Sequence, residues 1–152
     1  MAEDLKAIGF DPANLQPDYS EVVFVDSLSV AARHLFPKFS REESFRELGR
    51  QFGDEYLKTV VGRVIAAGLP LIGPNRAISR IPRYASYGGS YFTADARMEE
   101  EGHWQVIFDG TSREMGPFTA GWIETGLRRT GIEPRVTNTD SGPDGYIIDV
   151  RW

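Results

Sequence analysis

A chain of 152 residues has the length of one compact domain. With 41% hydrophobic and 26% charged residues it is neither disordered nor fibrous, and a net charge of −5 provides no electrostatic footprint for duplex DNA or anionic lipid. The absence of cysteine excludes disulfides, thiolate catalysis and Cys-ligated zinc, and fits a reducing cytoplasm.

The segment Met1 to Phe10 is acidic and lacks the basic start and apolar run of a signal peptide, so no export is expected. The most apolar stretch, Val60 to Ile72, is interrupted by Arg63 and Pro70, so no membrane span is expected either. Asp18 and Glu21 have capping-box spacing and predict a first helix from Asp18 to about Phe36, stopped by Pro37. Ser40 and Glu43 repeat the device. After them Phe45, Leu48, Phe52, Tyr56, Val60 and Val64 recur at three- and four-residue steps, which predicts a helix continuous from Arg41 to Ala67, with Gly53 as a point of weakness. Gly73-Pro74 reads as the cap and first-turn proline of a short helix reaching about Ile81, before Pro82.

From Ser90 the period changes to two. A strand to about Glu99, a turn at Glu101-Gly102 and a strand His103–Asp109 form a hairpin. Gly116-Pro117 starts a helix with Phe118, Trp122 and Ile123 on its apolar side, closed by Arg128, Arg129 and Gly131. Ile132–Thr139 and Tyr146–Trp152 are read as two further strands around the turn Asp140–Gly145. The expected fold is a single α+β domain over residues 1–152. An N-terminal helical layer (18–82) precedes a β-β-α-β-β half (90–152), whose four-stranded antiparallel sheet is covered by the Pro117–Thr130 helix, leaving a hollow at the seam of the layers.

Leu35-Phe36-Pro37, Leu48-Gly49-Arg50-Gln51-Phe52 through Tyr56, Thr59, Gly62 and Arg63, then Gly73-Pro74, and the closing Ile148-Asp149-Val150-Arg151-Trp152 follow one another in an order that resembles a myxobacterial paralogous domain family of unknown function. More distantly the chain is similar to the superfamily of heme-nitric-oxide-binding domains, 4-vinyl-reductase-type domains and trafficking-complex subunits. That resemblance implies an inter-layer pocket and a dimer through the helices. It does not imply heme, because heme-binding members carry a proximal histidine followed by Tyr-x-Ser-x-Arg. Here Tyr84-Ala85-Ser86-Tyr87-Gly88 lacks the arginine, and no histidine occurs between His34 and His103.

Residue chemistry yields no catalytic constellation. His34 and His103 lack the spacing of a ligand pair, Glu99-Glu100-Glu101 reads as a solvated turn, and Ser86, Ser90 and Ser112 lie outside any nucleophile elbow. Gly88-Gly89 precedes a strand and so has no helix N-terminus with which to cradle phosphate. The favoured ligand site is Arg76, Arg80, Arg83, Tyr84, Tyr87 and Tyr91, where guanidinium forks and phenol rings suit a small anionic or aromatic molecule. The competing reading is a basic helix end with core tyrosines. Gly49, Gly53, Gly62, Gly121 and Gly126 are expected to mark close backbone approach, within the chain or across a dimer. The function expected is a non-enzymatic, cytoplasmic, homodimeric small-molecule-binding or signalling module without metal or cofactor, acting on a protein partner not identified by the sequence. The alternatives are a protein-interaction scaffold and, more weakly, an enzyme built on Asp, Glu or Tyr.

Overall fold

The computed structural model describes residues 1–85 and 92–152. Among these residues six helices and four strands follow in the order α1 (Ala2–Ala7), α2 (Glu21–Leu35), α3 (Arg41–Lys58), α4 (Val60–Ser79), α5 (Ile81–Ala85), β1 (Thr93–Glu100), β2 (His103–Asp109), α6 (Gly116–Arg128), β3 (Arg135–Gly142) and β4 (Gly145–Arg151), with a 3-10 turn at Arg113–Met115. This is the expected α+β arrangement, with α1 and the 3-10 turn as additions.

Local chemistry explains where the boundaries moved. The cap of α2 is Ser20, whose hydroxyl accepts from the Val23 amide, and not Asp18. Glu21 is thereby released to accept from Thr111 Oγ1 and from the Ser112 amide, pinning α2 to the loop before α6. The Ser40/Glu43 capping box forms as read, with Ser40 N donating to Glu43 Oε2 at 2.8 Å and Glu43 N to Ser40 Oγ at 3.2 Å. Continuity to Ala67 does not hold. The break falls at Thr59, whose extended backbone (φ −64°, ψ 166°) and hydroxyl bond to the Gly62 amide begin a new helix bent by 99° from α3. A Cβ on Gly62 would lie 1.9 Å from the Tyr56 carbonyl, so this turn needs glycine. Gly73 interrupts α4 in the left-handed region at φ 73°, and Pro74 restarts it. Pro82 sits in the first turn of α5, where its missing N–H costs nothing. Strand β3 begins after Pro134, which has no amide for the ladder, rather than at Ile132.

The strands are antiparallel in the order β1-β2-β4-β3. Trp104, Val106 and Phe108 of β2 pair with Val150, Ile148 and Tyr146 of β4, and this alternate set is buried on one face. Over it lie Ala120, Ile123 and Leu127 of α6, together with Ala77, Ile78, Ile81 and Ala85 from the end of α4 and α5. A smaller core of Val25, Leu28, Ala32, Phe45, Leu48 and Phe118 joins α2 and α3 to the other side of α6. Helix α6 is therefore the middle of three layers.

The contact between α3 and α6 is unusually close. A Cβ at Gly49 would lie 2.0 Å from the Phe118 carbonyl oxygen, and one at Gly121 would lie 2.0 Å from the Arg46 carbonyl oxygen. The two helices touch backbone to backbone, so the expected hollow is closed along the middle of the seam.

Candidate functional site

The centre of the seam is polar and paired. Glu124 of α6, with its side chain 5% exposed, faces Arg46 at 3.0 Å, Arg50 at 3.1 Å and Arg128 at 2.6 Å. Partial burial works against the Arg50 charge, but hydrogen bonds to Glu47 and Glu124 outweigh it and raise the guanidinium pKa above the ordinary arginine value. Glu47 also pairs with Arg50 at 3.2 Å and Glu133 with Arg128 at 3.5 Å, so the cluster that locks α3 to α6 sets three arginines against three carboxylates.

The seam opens at its two ends. At the N-terminal ends of α3 and α6 a groove of about 290 Å³ is lined by Arg41, Glu42, Phe45, Arg113, Glu114, Pro117, Asn138 and Asp140. Both of its arginines are matched, Arg41 by Glu114 at 2.8 Å and Arg113 by Asp140 at 3.5 Å. At the C-terminal ends, inside the bend between α3 and α4, a second groove of about 360 Å³ is lined by Asp54, Leu57, Lys58, Arg63, Ala66 and Arg129. Here Arg129 meets Asp54 at 3.3 Å and Lys58 meets Glu55 at 2.6 Å, while Arg63 makes no ion pair among the described residues.

The residues favoured from sequence lie elsewhere. Arg76 falls near the end of α4 and Arg80 caps it; both are exposed. Arg83 and Tyr84 are exposed on α5. None of the four lines either groove, and Tyr87 and Tyr91 lie outside the described residues. The groove-lining Arg63 and Arg129 are not among the residues favoured from sequence. The signal for Arg63 was present, since it is the only charge between Val60 and Pro74.

Both imidazoles are held by carboxylates. His34 Nε2 lies 2.6 Å from Asp4 Oδ2, a hydrogen bond that holds the Asp4 carboxyl below its usual range. His103 Nε2 lies 2.7 Å from Asp149 Oδ2 on the sheet. Burial pushes the Asp149 carboxyl up, but hydrogen bonds from His103 and Arg151 prevail and lower it. Among the described residues no three His, Cys, Asp or Glu side chains come together to hold a metal ion.

The outward surface of α4 is a second notable feature. Val60, Val64, Ala67 and Leu71 are spaced by four, three and four residues and are all exposed, Val60 and Val64 at 73% and Leu71 at 86%. The inward Leu69 and Ile72 pack on the sheet core, so α4 is apolar on both faces and covered on one. No single helix among the described residues is long and apolar enough to cross a membrane.

A helical bundle folded onto an antiparallel β-β-α-β-β half is the architecture of the H-NOX domains. An oxygen-binding H-NOX domain related to soluble guanylate cyclases superposes with a TM-score of 0.71 at 17% identity, covering 99% of this chain and 81% of that one. A structure addressing the mechanism of H-NOX activation gives 0.72 at 16% identity over 99% and 84%. A mutant of the T. tengcongensis H-NOX gives 0.65 at 16% identity over 99% and 85%. At such identities what is shared is the fold. By sequence, residues 1–152 match the family "Protein of unknown function (DUF2378)", and the chain belongs to that family. No curated protein matches it. The residues present do not fit a heme at either of these two grooves: neither His34 nor His103 lines one, and the chain has no other histidine and no cysteine.

Proposed function

We propose that this protein is a non-enzymatic, cytoplasmic binding module of a signalling kind, working as a homodimer paired through the outward stripe of α4. The stripe Val60, Val64, Ala67, Leu71 carries the reading, because four–three–four apolar spacing on an exposed helix is the seam of a helix pair. A second copy suits it better than an unrelated partner. The stripe has a small residue near its middle and branched residues towards both ends, so an antiparallel two-fold pairing sets Ala67 near Ala67 and brings Leu71 towards Val64, apolar against apolar.

The electrostatics support a non-catalytic role. The shifts resolved at Asp4, Glu43, Arg50 and Asp149 answer to structural partners: His34 for Asp4, Ser40 for Glu43, Glu47 and Glu124 for Arg50, and His103 and Arg151 for Asp149. The lack of cysteine suits a reducing compartment.

Light scattering tests the dimer. The wild-type chain is expected at twice its 17.0 kDa mass, and Val64→Glu with Leu71→Glu at 17.0 kDa with an unchanged helical circular dichroism spectrum. A wild-type particle that stays at 17.0 kDa at high micromolar concentration would overturn the reading.

A further inference from the structure

We propose that the groove inside the α3–α4 bend is a binding site for a small amphipathic anion, a molecule bearing one phosphate or carboxylate on a compact apolar body. Three cations, Lys58, Arg63 and Arg129, line it against one carboxylate, Asp54, although the whole chain carries an excess of acid. Asp54 is already engaged by Arg129, and Lys58 by Glu55. Arg63 is left with its guanidinium uncommitted among the described residues, on a helix otherwise apolar from Val60 to Pro74. A lone arginine there has no helix-stabilising partner, and its five donors are available to an oxyanion.

The helix that carries it adds to the field. The first turn of α4 contains no acidic residue, whereas α2 and α3 each place glutamate in theirs, so the positive end of the α4 dipole beside Lys58 and Arg63 is not offset by its own chain. Leu57 and Ala66 provide the apolar lining. A volume of about 360 Å³ lies at the small end of ligand pockets, which limits the ligand to a single ring or a short chain beside its charged group. A longer body would pass out of the bend into water.

The site is independent of the α4 pairing, since it lies in the angle that α4 makes with α3 and not on the outward stripe. It also differs from the Arg76–Tyr84 surface, which supplies the comparison.

Phenyl phosphate is the probe, with phenol and inorganic phosphate as its two halves. In amide NMR titrations phenyl phosphate is expected to shift Leu57, Arg63 and Ala66 saturably, phenol to shift none of them, and inorganic phosphate to bind more weakly. Arg63→Gln should weaken phenyl phosphate by about ten-fold or more, the value of a charge-assisted hydrogen bond. Arg80→Gln should leave the affinity unchanged. Light scattering on Arg63→Gln should return the wild-type mass, which keeps failure here distinct from failure of the dimer. Co-sedimentation with phosphatidylserine vesicles that Arg63→Gln abolishes would support the site and name a lipid headgroup as the source of the anion, while soluble binding alone would name a free metabolite. Equal affinity in wild type and Arg63→Gln, loss on Arg80→Gln instead, or no shifts with phenyl phosphate would overturn the proposal.

Discussion

Helices α3 and α4 are joined at Thr59, yet they solve the same problem in opposite ways. Helix α3 is rich in charge, and its buried face is narrow: Phe45, Leu48, Gly49 and Gly53 against α6. Helix α4 is almost wholly apolar between Val60 and Pro74, and leaves its outward stripe in water. The backbone-to-backbone contact with α6 is thus made by the more polar helix, because glycines let backbones meet and Glu124 gathers the surrounding arginines. Apolar content measures what a helix is able to bury, whereas glycine placement and matched charge record what it does bury. The surplus on α4 is the exposed stripe on which the proposed pairing rests.

The strongest way to break the contrast is to put a methyl group where two backbones touch. Gly121→Ala or Gly49→Ala should destabilise the fold by about 3 kcal/mol, the upper end of overpacking, because the obstructing atoms are main-chain carbonyls that cannot rotate away. Gly126→Ala, on the same helix with nothing within 4 Å of the added carbon, should instead stabilise by about 0.5–1 kcal/mol. Urea denaturation of the three variants decides the matter, and equal midpoints for Gly121→Ala and Gly126→Ala would show that the seam has room.

The charged half of the contact comes next. Glu124→Ala removes a buried acceptor shared by Arg46, Arg50 and Arg128, whose side chains are 23%, 34% and 45% exposed. Loss of a buried partner costs about 3–5 kcal/mol when the remaining charge is sealed in, and water access to these arginines reduces that to roughly 2 kcal/mol. Glu124→Gln should lie between alanine and wild type in the same titration.

Legibility followed the range of the forces involved. The Ser40 capping box, the Gly73-Pro74 interruption and the β2 alternation are settled within a few residues, so they could be read directly. The break at Thr59 was hidden because Tyr56, Val60 and Val64 continue a helical period across it; only the Thr59 hydroxyl and the crowding at Gly62 divide the run. Periodicity places Val60 and Val64 in one apolar series with Phe45 and Leu48, yet they are exposed where Phe45 and Leu48 are buried, since a pattern states which residues recur together and not whether anything covers them. Among the glycines, the expectation of close backbone approach held for Gly49, Gly62 and Gly121, while Gly53 meets the side chains of Thr125 and Trp122 and Gly126 faces open space. The grooves were not legible because each joins residues from separate elements, Arg129 meeting Asp54 across 75 positions of sequence.

The smallest effect sharpens the comparison from the far side of the sheet, where neither helix reaches. Asp149 accepts from His103 at 2.7 Å and from Arg151 at 3.0 Å, and these bonds hold its carboxyl below the ordinary value of 3.8. A carboxyl whose pKa is lower folded than unfolded stabilises the protein above the unfolded value, and that contribution disappears as pH falls through the folded one. Asp149→Asn should therefore cost about 1 kcal/mol at neutral pH and lose less than wild type on acidification below 3.8. Thermal melts at stepped acidic pH should show the two curves converging. If they stay parallel, the ionisation of Asp149 carries none of the acid sensitivity of the fold, which then belongs to the helical layer, where Glu43 and Asp4 are likewise held below their ordinary range.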